Sequence, residues 1–229
     1  MYQRKTTTLI PSLLLATVLS SGLIVSACSA ESSNTQISSN QNTPAEIYKL
    51  GLAYYEGDSV PQNYEKAFSL FKKSADQEYV EAQFNLGVMY ENGIGVNQDY
   101  KRAMQSYLSA ADNGDFDAQN NIGSLYYFGK GVDQNYAKAL DWYTKAADKD
   151  VGIAQFNIGG LYENGYGVPQ DYDMAFEWYK KAADQGHQEA SNRIGRLVMN
   201  DKIDDTGITI YSTQETGLTL GDLEDNSEN

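Results

Sequence analysis

A set of residues recurs every 36 positions, and this constrains the chain more than any other feature. Gly51, Gly87, Gly123, Gly159 and Gly195 are each preceded by Leu or Ile (Leu50, Leu86, Ile122, Ile158, Ile194). Tyr54, Tyr90, Tyr126 and Tyr162 follow three residues later, with Val198 ending the series. Gly57, Gly93, Gly129 and Gly165 form another column, and Val60, Tyr64, Ala67 and Ala75 each head further columns at the same offset. A fixed period in this range marks a stack of similar supersecondary units, none of which can bury its apolar face alone. The units run 46–81, 82–117, 118–153 and 154–189, followed by a half-unit 190–200. That exceeds the roughly three repeats stacking needs.

Each unit reads as helix-turn-helix. In the second, Phe84, Leu86, Met89 and Tyr90 recur at three- and four-residue intervals, the spacing of one helical face. Gly93 and Gly95 then supply positive φ angles for a C-cap and reversal. The next column is always Asn or Asp (Asn63, Asp99, Asn135, Asp171), residues whose side chains accept from the free N–H groups of a helix start. Ala103, Tyr107 and Ala110 make the packing stripe of the second helix. Gly87 lies inside the first helix, where glycine costs about 1 kcal/mol, so its recurrence predicts a close helix-helix approach. The expected fold is all-α.

Leu86-Gly87, Tyr90, Gly93-x-Gly95-Val96, Asp99-Tyr100, Ala103, Tyr107 and Ala110-Ala111 together resemble the Sel-one-like repeat, a relative of the tetratricopeptide repeat, over about Glu46 to Asn200. The resemblance implies an α/α superhelical solenoid whose first helices line the concave face. It also implies an adaptor role in assembling protein complexes of the cell envelope. The first unit departs from the pattern, with Ser59 at the second loop glycine and Ser74 at the first of the paired alanines, as suits a terminal cap.

Ahead of the repeats, Arg4 and Lys5 precede an apolar stretch from Leu9 to Val25 that ends in Ser26-Ala27, the order of a signal peptide over residues 1–27. Val25-Ser26-Ala27-Cys28 resembles a bacterial lipobox, which implies lipid attachment at Cys28. Ser29 in place of an aspartate implies delivery to the outer membrane, facing the periplasm or the cell surface. Residues 28–45, rich in Ser, Asn, Gln and Thr, read as a flexible tether, because such a segment cannot bury enough surface to offset its ordering entropy. Residues 201–229 carry eight acids and one lysine and read as a disordered acidic tail, although Thr206–Leu220 alternates enough to add as a strand to a partner.

Charge and composition narrow the function. A net charge of −14 opposes nucleic-acid binding, which needs clustered cations. One cysteine and one histidine, His187, make neither an internal disulfide nor a usual zinc site, and no loop has calcium-ligand spacing; no metal or cofactor is expected. Ser69-x-x-Lys72 matches a bare serine-nucleophile pattern, and the resemblance extends to relatives described as β-lactamase-like. No Ser-Asp-Asn or Lys-Thr-Gly accompanies it, and His187 has no readable Ser or Cys partner, so the chain is read as a non-enzyme.

Binding residues are therefore sought among the polar and variable columns. Lys49, Asn85, Asn121, Asn157 and Arg193 form a ladder before the Leu/Ile-Gly pair. They either bond an extended peptide or tie neighbouring helices together. Tyr55, Glu91, Tyr127 and Glu163 form a second column, with Phe128 beside Tyr127; these aromatics either anchor a partner or pack on the next repeat. Trp142 and Trp178 are expected to fill inter-repeat grooves, and Asp76, Asp112, Asp148 and Asp184 to bond the next unit. The expected partner is another protein or peptide of the envelope, with membrane contact only through the lipid. Peptidoglycan or another glycan is the alternative, and a cell-wall hydrolase the third reading.

Overall fold

A computed structural model describes residues 43–200 and 202–203. Among them are nine α-helices: α1 (Pro44–Glu56), α2 (Tyr64–Ala75), α3 (Val80–Asn92), α4 (Tyr100–Asp112), α5 (Phe116–Phe128), α6 (Tyr136–Ala147), α7 (Gly152–Asn164), α8 (Tyr172–Asp184) and α9 (Gln188–Met199). Each helix packs on its neighbours in sequence, most extensively within the hairpins α1–α2, α3–α4, α5–α6 and α7–α8. The result is an all-α solenoid. Cys28, the segment read as a signal peptide, most of that read as a tether and nearly all of that read as an acidic tail lie outside the described residues.

Helix starts fall two residues before the unit borders read from the sequence, at Val80, Phe116, Gly152 and Gln188. α1 likewise begins at Pro44, inside the segment assigned to the tether. Thr43 and Glu46 form a reciprocal capping box there, with Pro44 in the first turn, where a missing N–H costs nothing.

The turn inside each unit is made the same way four times. Gly57, Gly93, Gly129 and Gly165 end the first helices in the left-handed conformation, at φ between 66° and 77°. Asn63, Asp99, Asn135 and Asp171 cap the second helices, their side-chain oxygens accepting from backbone N–H groups at 2.9–3.0 Å. A column that sequence reading passed over completes the turn: Gln62, Gln98, Gln134 and Gln170 each donate a side-chain amide to a carbonyl near the first helix's end, at 2.8–2.9 Å. The carbonyl belongs to Tyr55, Glu91, Tyr127 or Glu163, so the turn also fixes the backbone of one candidate binding column.

The second loop glycine serves stacking between units. A Cβ on Gly95, Gly131 or Gly167 would come inside 3.0 Å of the backbone of Tyr64–Glu65, Tyr100–Lys101 or Tyr136–Ala137 in the preceding unit. Ser59 holds this position in the first unit at φ 62°. Among the described residues no helix precedes α1, so no earlier unit's second helix stands against it there. Ser74 is likewise accommodated: fully buried, its hydroxyl donates to the Pro44 carbonyl at 2.7 Å and ties α2 to the start of α1.

The mid-helix glycines receive rings. Phe71, Tyr107, Tyr143 and Tyr179 of the second helices lie against Gly51, Gly87, Gly123 and Gly159, where a Cβ would collide with the ring inside 3.0 Å. Fully buried Ala67, Ala103, Ala139 and Ala175 sit one turn earlier on the same helices. Gly195 in α9 meets nothing, because no second helix follows it among the described residues. Ile203 is instead fully buried against Tyr179 and Leu197 and seals this end.

Candidate partner-binding face

The ladder residues sit on the first helices and point toward the preceding unit. Asn85 donates to the Tyr48 hydroxyl at 2.9 Å, and Asn157 donates to Asn120 at 2.9 Å. Asn121 accepts from Asn120 at 3.3 Å and also hydrogen-bonds the Tyr107 hydroxyl. Arg193 reaches Glu163 at 3.4 Å. These four are half-buried and joined between units; Lys49 is exposed. Hydrogen bonds to the neighbouring repeat thus engage four of the five residues of this column.

The second column alternates chemically. Glu91 and Glu163 accept hydrogen bonds from Tyr107 and Tyr179, the hydroxyls of the buried rings that cover the helix glycines. Burial, then the neighbouring carboxylate, pushes both phenol pKa values far above the ordinary range. The two tyrosines therefore stay protonated donors. Tyr143 has no carboxylate at the matching place. Burial raises its pKa too, and its hydroxyl meets Ser124 at 3.1 Å. Tyr127 stands where the glutamates stand in flanking units, half-buried, its ring edge-on to Phe128 at 4.8 Å and to Tyr136 at 5.3 Å. Tyr55 packs likewise against Tyr64 at 5.3 Å. Phe128 is 61% exposed.

Tyr136, a member of the recurrent tyrosine column headed by Tyr64, and Tyr166, which is not among the candidates, stack at 4.8 Å and 13° and extend this cluster. Their signal was present in weaker form: position 166 lies in a column with Lys130 and Lys202, side chains that meet the preceding unit's tyrosine at the start of its second helix. Lys130 Nζ lies 5.4 Å from the ring centres of both Tyr100 and Phe128 and 3.8 Å from Glu91.

The remaining candidates have structural surroundings. Trp142 and Trp178 are half-buried against the cores between successive units, with Lys145 and Lys181 over their rings at 3.8 and 4.0 Å. Asp76 departs from expectation: instead of bonding the next unit it pairs with Lys72 at 2.9 Å within its own helix, where the i, i+4 spacing brings opposite charges together. That pair is exposed and occupies the lysine of the Ser69-x-x-Lys72 pattern. His187 caps α9, its Nδ1 accepting from the Ala190 N–H at 3.3 Å and its ring stacked on Phe156 at 4.6 Å. Among the described residues, no group of three or more His, Cys, Asp or Glu is placed to hold a metal ion.

Comparison with known proteins gives a concordant picture. The family model described as Sel1 repeat matches residues 47–79, 80–115, 116–151 and 152–187, of which the last three begin where α3, α5 and α7 begin. A solved Sel1 repeat protein from Oxalobacter formigenes is 35% identical, with a TM-score of 0.67 over 73% of this chain and 66% of that one. A protective antigen present in uropathogenic Escherichia coli strains, displaying an SLR fold, is 36% identical, with a TM-score of 0.66 over 69% of this chain. The match spans only 34% of the antigen's length. No curated protein matches the chain.

Proposed function

The chain belongs to the Sel1 repeat family, and from that premise we propose that it is a non-catalytic scaffold binding a protein or peptide of the bacterial cell envelope, held there by a lipid on Cys28. Sel1 repeats are typically protein-interaction scaffolds. The observation that carries the reading is the second column of the first helices, where Tyr127 and Phe128 keep partly exposed rings on rigid helix ends while the surrounding columns are engaged in packing the array. Aromatic anchors on a fixed surface lose little entropy on binding. The envelope location rests on the order of residues 1–28: cations, an apolar stretch, small residues, then the single cysteine.

Glycan binding has less in its favour. A sugar stacks on an open indole face, and both tryptophans are half-buried with a lysine over the ring. Catalysis by Ser69 and Lys72 has none of the burial that would tune the lysine, which Asp76 holds protonated.

Crosslinking the full-length protein in its own cells, followed by mass spectrometry, tests the proposal, with a chain lacking residues 46–200 as control. One dominant protein partner, lost in the control, is the expected result. Retention on purified cell wall with no protein partner would transfer the reading to glycan binding.

A further inference from the structure

We propose that Asn120 couples units that are not neighbours: through it one run of hydrogen bonds ties unit 2 to unit 4, so that the carboxylate of Glu91 sets the orientation of the Asn157 amide two unit borders away. The coupling does not depend on what the array binds.

A departure from the repeat marks the place. Where Asn120 stands, units 1, 2 and 4 hold Tyr48, Phe84 and Phe156, whose rings pack on Phe71, Tyr107 and Tyr179 at 5.4, 5.8 and 5.4 Å. Asn120 makes no such ring contact, and it is only 7% exposed. A buried amide costs free energy unless it is hydrogen-bonded. Its bonds are the return: Asn157 donates to its Oδ1 at 2.9 Å, and its own Nδ2 donates to Asn121 at 3.3 Å. Asn121 and Asn157 hold the same place in successive units, and Asn120 joins them.

The run continues in one direction. Asn121 hydrogen-bonds the Tyr107 hydroxyl, which donates to Glu91 at 2.8 Å. Having one proton, the hydroxyl can only accept from Asn121. Burial and then Glu91 raise the Tyr107 pKa, whereas the bond to Asn121 lowers it, the sign of an amide N–H donating to the phenol oxygen. Asn157, Asn120, Asn121 and Tyr107 therefore each donate to the next, and the run ends on a carboxylate.

A carboxylate accepts and cannot donate, so it fixes every group behind it. With the Tyr107 proton drawn to Glu91, Asn121 must turn its nitrogen to the phenol and its oxygen to Asn120. Asn120 must then turn its nitrogen to Asn121 and its oxygen to Asn157, which donates in turn. An amide carries donor and acceptor on opposite arms, so each side chain has two discrete settings, the kind of element that transmits a choice. Tyr107 is fully buried, and bonds shielded from water polarise one another more strongly. Solenoid units ordinarily contact and influence their immediate neighbours. Asn85 with Tyr48, and Arg193 with Glu163, follow that pattern and join one unit to the next. Whatever meets Asn157 from solvent meets an amide whose orientation unit 2 has chosen.

Tyr107→Phe keeps the ring on Gly87 and cuts the run in unit 2; Tyr143→Phe removes a buried hydroxyl that bonds Ser124 outside the run. Side-chain amide signals of the isotope-labelled full chain, assigned by NMR, read the far end. Tyr107→Phe should speed hydrogen exchange of the Asn157 side-chain amide at least threefold with backbone protection of α7 unchanged, and Tyr143→Phe should leave it as in the parent protein. Stability gives a second reading, because substitutions at distant sites ordinarily add. Tyr107→Phe and Asn157→Ala should depart from additivity by at least threefold in the unfolding equilibrium constant, and the departure should vanish once Asn120→Ala is also present. Unchanged exchange at Asn157 in Tyr107→Phe, an equal rise in Tyr143→Phe, additive effects of the pair, or a coupling that survives Asn120→Ala would each overturn the proposal. Should Asn120→Ala fail to fold, the exchange rates of the two tyrosine variants decide alone.

Discussion

The ring of Tyr107 lies directly on Gly87, so close that a methyl group at position 87 would stand inside 3.0 Å of two ring carbons. The same pairing joins Tyr143 to Gly123 and Tyr179 to Gly159, and it sets how closely the two helices of each unit approach. In α9 the matching glycine, Gly195, has no ring against it.

Gly87→Ala and Gly195→Ala should therefore have opposite signs. Alanine in a helix interior is favoured over glycine by about 1 kcal/mol, a gain both variants share. At position 87 the buried ring must shift, and overpacking of this kind costs roughly 1–3 kcal/mol, which outweighs the gain. Urea midpoints should fall for Gly87→Ala and rise for Gly195→Ala.

The helix caps offer a graded test. Asp99→Ala removes the acceptor for the Lys101 and Arg102 N–H groups and should cost about 0.5–2 kcal/mol. Gln98→Ala removes a single amide-to-carbonyl bond on the same turn and should cost roughly 0.5–1.5 kcal/mol. Because both residues serve one reversal of the chain, the double variant should depart from additivity. Denaturant unfolding of the three variants gives the coupling.

The buried tyrosines make the protein sensitive to alkali. Tyr107, Tyr143 and Tyr179 have pKa values raised above the ordinary tyrosine value of 10.0, by burial in each case, with Glu91 and Glu163 adding to it for the first and third. The unfolded chain loses these protons as pH passes 10 while the folded chain keeps them, so the unfolded state binds fewer protons and stability falls as pH rises. The contribution is fully present below pH 10. Stability should decline by up to about 1.4 kcal/mol per pH unit for each such tyrosine above that point. Urea midpoints between pH 9 and 11.5 check the slope, which Tyr143→Phe should reduce. Tyrosinate absorbance of the folded protein should show these side chains resisting ionisation.

Arg193→Ala probes the rungs between units. It removes the cation beside Glu163, which remains hydrogen-bonded to Tyr179 and partly shielded from water. Since the pair is partly exposed, the loss should be modest, about 0.5–1 kcal/mol. The effect should shrink in 1 M salt, and a loss that ignores salt would mean the arginine acts through packing of its stem.

The periodic residues by themselves determined the architecture. Glycine, alanine, tyrosine and the Asn/Asp cap recur because every unit solves the same local problem: ending a helix, reversing, and starting another. Local backbone chemistry of that kind is legible one residue at a time, and so was the need for a close approach at Gly87. What the tertiary structure decided is which polar residues are engaged. Asn85 and Asn121 read alike in sequence whether they face a ligand or a neighbouring helix, and only the structure joins them to Tyr48 and Tyr107 across the stack. The aromatic patch was likewise half visible. Tyr127 and Phe128 stood out as variable positions, but Tyr136 and Tyr166 are 30 residues apart and meet only because one unit's turn lies over the previous unit's second helix. Contacts between units depend on how the repeats stack, and that geometry is a property of the packed array, not of any single 36-residue segment.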